Sequence, residues 1–222
     1  MLDHAIDRVA PHVSDLAVNA HHFADQIEQH VAGRAIKVSV ESPEALGTAG
    51  ALGALRDWVR GRPVLIYNAD AWIPESLGAL VDGWDGHLPR LLVKRQIGPS
   101  DFGPWRFVGA SLLPGVIAAS LPPQPLGLYE AVWREAFRRG QLELVSTSSD
   151  AIDCGTLNGY LRANLAANGG QSVIGRTASV QGEVVRSVVW DGCTVRRGER
   201  LVDSVRARQD LTLQASGPEQ SE

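Results

Sequence analysis

The sequence predicts an α/β protein: a mostly parallel sheet with helices on both faces, followed by a short coil-like segment. Three observations carry this. Short apolar runs alternate with stretches of helical spacing. The connections between them are brief, as β-α-β units require. Past Gly169-Gly170, Val189, Val195 and Leu201 fall six residues apart, with Gly192 and Gly198 on the same period. Apolar positions at that period suit a left-handed β-helix, in which each triplet forms one face of a coil.

Taken in order, Leu2, Ile6 and Val9 recur at helical spacing, and Pro11 ends that helix. Leu16-Ala17-Val18-Asn19 reads as a buried strand. Phe23, Ile27 and Val31 form the apolar face of the next helix, and Ile36 to Glu41 alternates like a strand. A helix from about Ala49 to Val59 precedes the strand Pro63 to Tyr67. Another near Pro74 to Val81 precedes the strand Arg90 to Lys94. From Ile97 to Gly127 the chain is irregular and rich in Gly and Pro, with Trp105 to Leu113 a strand inside it. Tyr129 to Arg139 reads as a helix, Leu142 to Val145 as a strand, and Leu157 to Ala167 as the closing helix. The expected division is an α/β domain over 1–168, the coil-like segment over 171–214 and a polar, flexible tail over 215–222. A pair of ordinary hairpins is the plainer reading of the middle part.

The 222 residues are 44% hydrophobic and 21% charged, as in an ordinary globular protein, and the net charge is −4. No basic field invites nucleic acid or anionic lipid. A polyanionic substrate would need local help from helix N-termini, a metal or a few cations. No apolar run reaches membrane-spanning length, and the N-terminus carries no signal pattern. Cys154 and Cys193 make neither a disulfide framework nor a zinc pair, which points to a reducing cytosol. The six histidines show no metal spacing with carboxylates. Trp58, Trp84 and Trp133 read as packing anchors, while Trp72 and Trp105 stand near the candidate pocket.

Three local signals bear chemistry. Glu41 to Gly50 follows a strand and leads into a helix; its small residues let a ligand approach the backbone, and the helix start offers unpaired N–H groups. A loop with a Thr48 cap is the bland reading. Asn68-Ala69-Asp70 directly follows an apolar strand, where open parallel sheets gather ligands, and Asp oxygen suits Mg2+. Asp153-Cys154-Gly155-Thr156 follows Ile152 and precedes a helix that Thr156 can cap. Asp153 reaches the same metal as Asp70 if their strands lie together. Simple turn and cap roles are the alternative for both.

The succession of Leu46-Gly47-Thr48-Ala49-Gly50, Asn68-Ala69-Asp70 and Asp153-Cys154-Gly155-Thr156 resembles the sugar-1-phosphate nucleotidyltransferase family. Its usual forms are Gly-Thr-Ala-Gly, Asn-Gly-Asp and Asp-Val-Gly-Thr; Ala69 stands here for a Gly and Cys154 for a Val. A tail of six-residue repeats also recurs in that family. The resemblance implies a Rossmann-like sheet of the nucleotide-diphospho-sugar transferase kind. It implies Mg2+ on Asp70 and Asp153, a nucleobase and ribose pocket lined by Leu46, Gly47, Thr48, Ala49, Gly50 and Asn68 with Glu41 nearby, and a sugar seat at Val108-Gly109. The substrates would be a nucleoside triphosphate and a sugar 1-phosphate, whose oxygen attacks the α-phosphorus as pyrophosphate leaves. Self-association through the coil would fit as well.

The family opens on a strand and a loop of the type Gly-x-Gly-Thr-Arg, followed by a Pro-Lys pair. No stretch here matches that pattern, and Met1 to Ile6 aligns with the helix that follows it. The expectation is a chain that starts past the catalytic loop, leaves an open flank between its first and third strands, and turns over poorly alone. A short form that binds sugar nucleotides without catalysis is the alternative. A hexapeptide-repeat acyltransferase is disfavoured, because the repeat is short and holds no His.

Overall fold

The computed structural model describes residues 1–215; the tail expectation for 216–222 lies outside the described residues. In chain order come α1 (Leu2–Val9), a 3-10 turn (Ala10–His12), β1 (Leu16–Ala20), α2 (Ala24–Val31) and β2 (Ile36–Val40). Then follow α3 (Gly47–Ala54), α4 (Arg56–Val59), β3 (Val64–Tyr67), β4 (Ala71–Trp72), α5 (Gly78–Val81) and β5 (Arg90–Arg95). After these stand β6 (Trp105–Leu113), α6 (Gly115–Ser120), a π-helical turn (Tyr129–Trp133), α7 (Arg134–Arg138), β7 (Glu143–Ser146), β8 (Ile152–Asp153) and α8 (Leu157–Ala167). Short strands complete the chain: β9 (Val173–Ile174), β10 (Ser179–Val180), β11 (Glu183–Val185), β12 (Val188–Val189), β13 (Thr194–Val195), β14 (Arg200–Val202), β15 (Ser204–Arg208) and β16 (Leu211–Gln214).

These elements form two compact units. A sheet unit holds Leu2–Ala69 and Glu75–Ser149; a coil unit holds Met1, Asp70–Pro74 and, among the described residues, the chain from Asp150 to Ala215.

In the sheet unit β1 and β2 pair in parallel, from Leu16 opposite Ile36 to Ala20 opposite Val40. The larger sheet runs β3-β6-β5-β7. Here the expectation of a mostly parallel sheet is corrected. Only β5 and β7 are parallel, whereas β6 is antiparallel to both β3 and β5. The reason is local: residues 96–104 fold the chain straight back, with Gln96 N–H donating to Pro104 O at 2.9 Å, so β5 and β6 form a hairpin. Among the described residues, β1 and β3 each have one paired flank.

Successive residues of a strand point to opposite faces, and Leu91, Leu92 and Val93 are all buried, so both faces of this sheet are covered. Ala49 and Leu52 of α3, Leu55 at the break and Val59 of α4 join Leu91, Val93, Leu113 and Trp133 in one cluster. Aromatic packing fixes its far side: the Phe107 and Trp133 rings lie 4.7 Å apart. Trp105, partly buried, packs against this cluster.

The coil unit is built from parallel pairs. Val173 lies opposite Val188, which lies opposite Val205; Ser179 pairs with Thr194, and Glu183 with Arg200. The pairs are thus successive turns laid on one another, closed by β16, which returns antiparallel along β15. Val189, Val195 and Leu201 are buried together with Cys193. Helix α8 packs Leu161 against Val188 and Val205. No helix among the described residues is long and apolar enough to cross a membrane. Both cysteines are free thiols.

Candidate functional site

In the coil unit, β4 and β8 run antiparallel, with Ala71 opposite Asp153 and Trp72 opposite Ile152. The ladder continues one step further, as Cys154 N–H donates to Asp70 O at 2.8 Å. That brings Asp70 and Asp153 to one end of a two-stranded ladder. The setting differs from the carboxyl edge of a parallel sheet on which the metal reading was based. Both residues are exposed. Asp153 Oδ1 accepts from Gly155 N–H at 2.8 Å. A Cβ placed on Gly155 would stand 3.1 Å from Asp153 Oδ1 and 3.8 Å from Asp70 Oδ2, so both carboxylates border one point that no side chain fills.

The neighbouring geometry holds this arrangement. Thr156 has extended backbone and its Oγ1 accepts from Gly159 N–H at 3.1 Å, which starts α8 with a side-chain cap. A Cβ on Gly159 would meet Asp153 O at 1.9 Å, so the helix presses its first turn onto the strand end. Burial, with the charges of Asp153 and Asp70, pushes the Cys154 thiol above its ordinary range, which keeps it a neutral neighbour of the carboxylates. Among the described residues, no three His, Cys, Asp or Glu side chains gather as a metal group. Ligands beyond these two carboxylates would come from water or phosphate.

In the sheet unit, Glu41 follows β2 and is buried. Its Oε2 accepts from Leu46 N–H at 2.8 Å, and its Oε1 accepts from Asn19 Nδ2 at 3.0 Å. His21 Nδ1–H donates to the Glu41 carbonyl at 3.0 Å. The peptide bond between Ser42 and Pro43 is cis, and α3 starts five residues after Ser42 at Gly47.

The start of α3 corrects two readings. Thr48 forms no cap; Leu46 holds that place without a side-chain bond. The amides of Ala49 and Gly50 are not open to a ligand, because both donate to Leu126 O, at 3.1 and 3.3 Å. Leu126 N–H in turn donates to Leu46 O at 2.9 Å. Gly47, with φ of 65°, would bring a Cβ to 2.9 Å from Leu126 O. A Cβ on Gly50 would meet Gln124 O at 2.2 Å, and one on Gly53 would meet Pro122 O at 2.4 Å. The small residues at the head and middle of α3 therefore let the 122–126 segment run along the helix at backbone contact.

Asn68 continues the β3–β6 ladder, its N–H donating to Gly109 O at 2.8 Å. Gly109 has φ of 104°, a conformation that side chains disfavour, and the β5–β6 register shifts there. Val108 is buried beside it. Of the residues assigned to the nucleotide, Asn68 thus meets the sugar-assigned Gly109 at a bulge next to the end of β3. Asn19 was not singled out from the sequence. The available signal was a carboxamide interrupting an otherwise apolar strand.

No family model matches the chain. Over 98 residues it is 37% identical to the N-acetylmuramate alpha-1-phosphate uridylyltransferase of Caulobacter vibrioides; the match covers 38% of this chain and 40% of that relative. Among solved structures, a protein described as mannose-1-phosphate geranyltransferase from Thermus thermophilus aligns with a TM-score of 0.68, covering 96% of this chain and 83% of that one at 14% identity. A UDP-glucose pyrophosphorylase from Acinetobacter baumanii aligns with a TM-score of 0.56 over 74% and 81% of the two chains at 13% identity.

Proposed function

We propose that this chain, which resembles the sugar-1-phosphate nucleotidyltransferases in sequence and shares their fold, serves nucleotidyl transfer from a nucleoside triphosphate to a sugar 1-phosphate, with pyrophosphate as the second product. The observation that carries the reading is the pair Asp70 and Asp153, bordering one unfilled point over Gly155. Such a donor set suits Mg2+, which is commonly bound by one or two carboxylates while waters and substrate phosphates complete the octahedron. Bound there, Mg2+ would neutralise phosphate charge as it develops. The chain's own groups do the remaining work. The Gly155 amide orients Asp153. Leu46, Gly47, Thr48 and Asn68 line the nucleoside, with Glu41 behind them, while the buried Ala49 and Gly50 back that wall against the 122–126 segment. Val108 and Gly109 receive the sugar, where the missing side chain allows close approach. Transfer of this kind rests on positioning and charge neutralisation rather than a covalent nucleophile.

Supporting the finer parts of the reading, the burial of Val189, Val195 and Leu201 favours a short left-handed coil of hexapeptide type over 171–214. The transferase-like domain is read as residues 1–168, although Asp70–Pro74 and the chain from Asp150 pack with the coil; the coil offers a surface for self-association, and the free thiols suit the cytoplasm.

The test is pyrophosphate release and Mg2+-dependent nucleotide binding across a panel of nucleoside triphosphates and sugar 1-phosphates. Because the chain alone is expected to turn over poorly, binding is the first readout: Asp70→Asn and Asp153→Asn are each expected to weaken Mg2+-dependent nucleotide binding about tenfold and to lower further whatever pyrophosphate release the chain shows. Equal metal dependence and equal binding in both variants would overturn the reading.

A further inference from the structure

Resting on the nucleotide site just proposed, the geometry points to Glu41 as a positioning residue: it fixes the Leu46–Thr48 turn, with Asn19 as its strut, and so sets nucleotide affinity and discrimination without touching the nucleotide.

The argument starts from the two oxygens. A carboxylate that binds a ribose or base needs an oxygen turned toward it. Glu41 is 5% exposed, and each of its oxygens already accepts from the protein. A buried carboxylate is costly unless its lone pairs are met, and here two N–H groups meet them. One donor belongs to β1 and the other to the loop that leads into α3. Asn19 lies opposite Ser39 in the parallel β1–β2 register, so the Glu41 side chain spans from one strand end to the neighbouring loop. The backbone of Glu41 is pinned as well: its N–H donates to Ala20 O at 2.8 Å, and its carbonyl accepts from His21.

The loop is held from its other side by Leu126, which receives the Ala49 and Gly50 amides and donates to Leu46 O. Leu46 is therefore clamped at both its N–H and its C=O, by Glu41 and by Leu126. Releasing the Glu41 side leaves the turn at Gly47, whose φ of 65° gives it wide conformational freedom, fixed from one side only.

The substitution series separates holding from touching. Gln in place of Glu41 keeps an acceptor for Leu46 N–H, and its amide N–H can donate to Asn19 Oδ1 once that carboxamide turns over. We expect Glu41→Gln to bind Mg2+–nucleotide within about threefold of the unsubstituted chain. Glu41→Ala should bind roughly tenfold more weakly, the loss that goes with one hydrogen bond, with a narrower spread among the four nucleoside triphosphates. Asn19→Ala should fall between. Hydrogen exchange at the Leu46 amide gives a readout without ligand and should quicken in Glu41→Ala but not in Glu41→Gln. Two results would overturn the inference: Glu41→Gln as weak as Glu41→Ala beside an unaffected Asn19→Ala, which makes the carboxylate a direct ligand, or unchanged Leu46 exchange in Glu41→Ala. Should Glu41→Ala fail to fold, Glu41→Gln and Asn19→Ala still decide. If the unsubstituted chain binds no nucleotide in the panel, the site reading falls while the Leu46 exchange still tests the positioning role.

Discussion

Arg206 shows how a single buried charge is managed in the coil unit. It is 7% exposed, and its guanidinium bonds Glu199, Thr212 and, at 3.1 Å, the Thr194 carbonyl. The Arg196 amide and the Arg206 guanidinium hold the Glu199 carboxyl below its ordinary range. The sign follows from the depressed folded value: the stabilisation is present above the unfolded carboxyl value of about 4.3 and is lost as pH falls through the lower folded one. Glu199→Gln should therefore lower the melting temperature at pH 7 and flatten the acid limb of stability, measured by thermal melts from pH 3 to 7. An acid limb identical to that of the unsubstituted chain would contradict the pairing. None of this was legible beforehand, because the partners of Arg206 arise from the stacking of turns and not from spacing. Glu41 is similar. Its place in a ligand-like loop was readable, but the commitment of both oxygens depends on Asn19, brought alongside by strand register.

At the scale of elements, the glycines of α3 carry a test of packing. Gly50→Ala would drive a Cβ into the Gln124 carbonyl, a backbone atom that cannot swing aside, and should destabilise by about 2 kcal/mol. Gly78→Ala in α5 meets its nearest atoms at 3.6 Å and should be neutral or mildly stabilising, since Ala exceeds Gly in helix propensity by about 1 kcal/mol. Chemical denaturation of the two variants side by side checks the contrast; equal midpoints would mean that the 122–126 segment yields. Elements with strong local signals were readable to within a residue. Val64–Tyr67 and Trp105–Leu113 are apolar runs with clear ends, and Leu157–Ala167 carries its Thr156 cap. Others were shortened by tertiary demands. The helix expected from Pro74 begins only at Gly78. The one expected over Ala49–Val59 is broken at Leu55, whose backbone leaves helical geometry. Tyr129–Arg139 starts as a π turn, which lodges Trp133 in the core. Strand direction was misjudged at β6 because apolar content alone does not tell a hairpin return from a crossover.

For the molecule as a whole, Asp70 and Asp153 belong to the coil unit, and Glu41 to Gly50, Asn68, Val108 and Gly109 to the sheet unit. The order of motifs along the chain was readable; their allotment to two bodies was not, because the chain crosses between the units around Asp70, Glu75 and Asp150. The coil has a consequence for engineering. Its partner residues lie fifteen apart in one turn, as Ser179 with Thr194, and seventeen apart at the next face, as Glu183 with Arg200. The excess sits in the corner after Val195, where Arg196, Arg197 and Gly198 are exposed and Glu199 N–H closes back on Arg196 O at 3.0 Å. Corners thus absorb length while the faces keep register. An epitope peptide grafted between Arg197 and Gly198 should leave a cooperative melt within a few degrees of the ungrafted chain and be bound by its antibody on the folded protein, which would make this corner a handle for immobilisation.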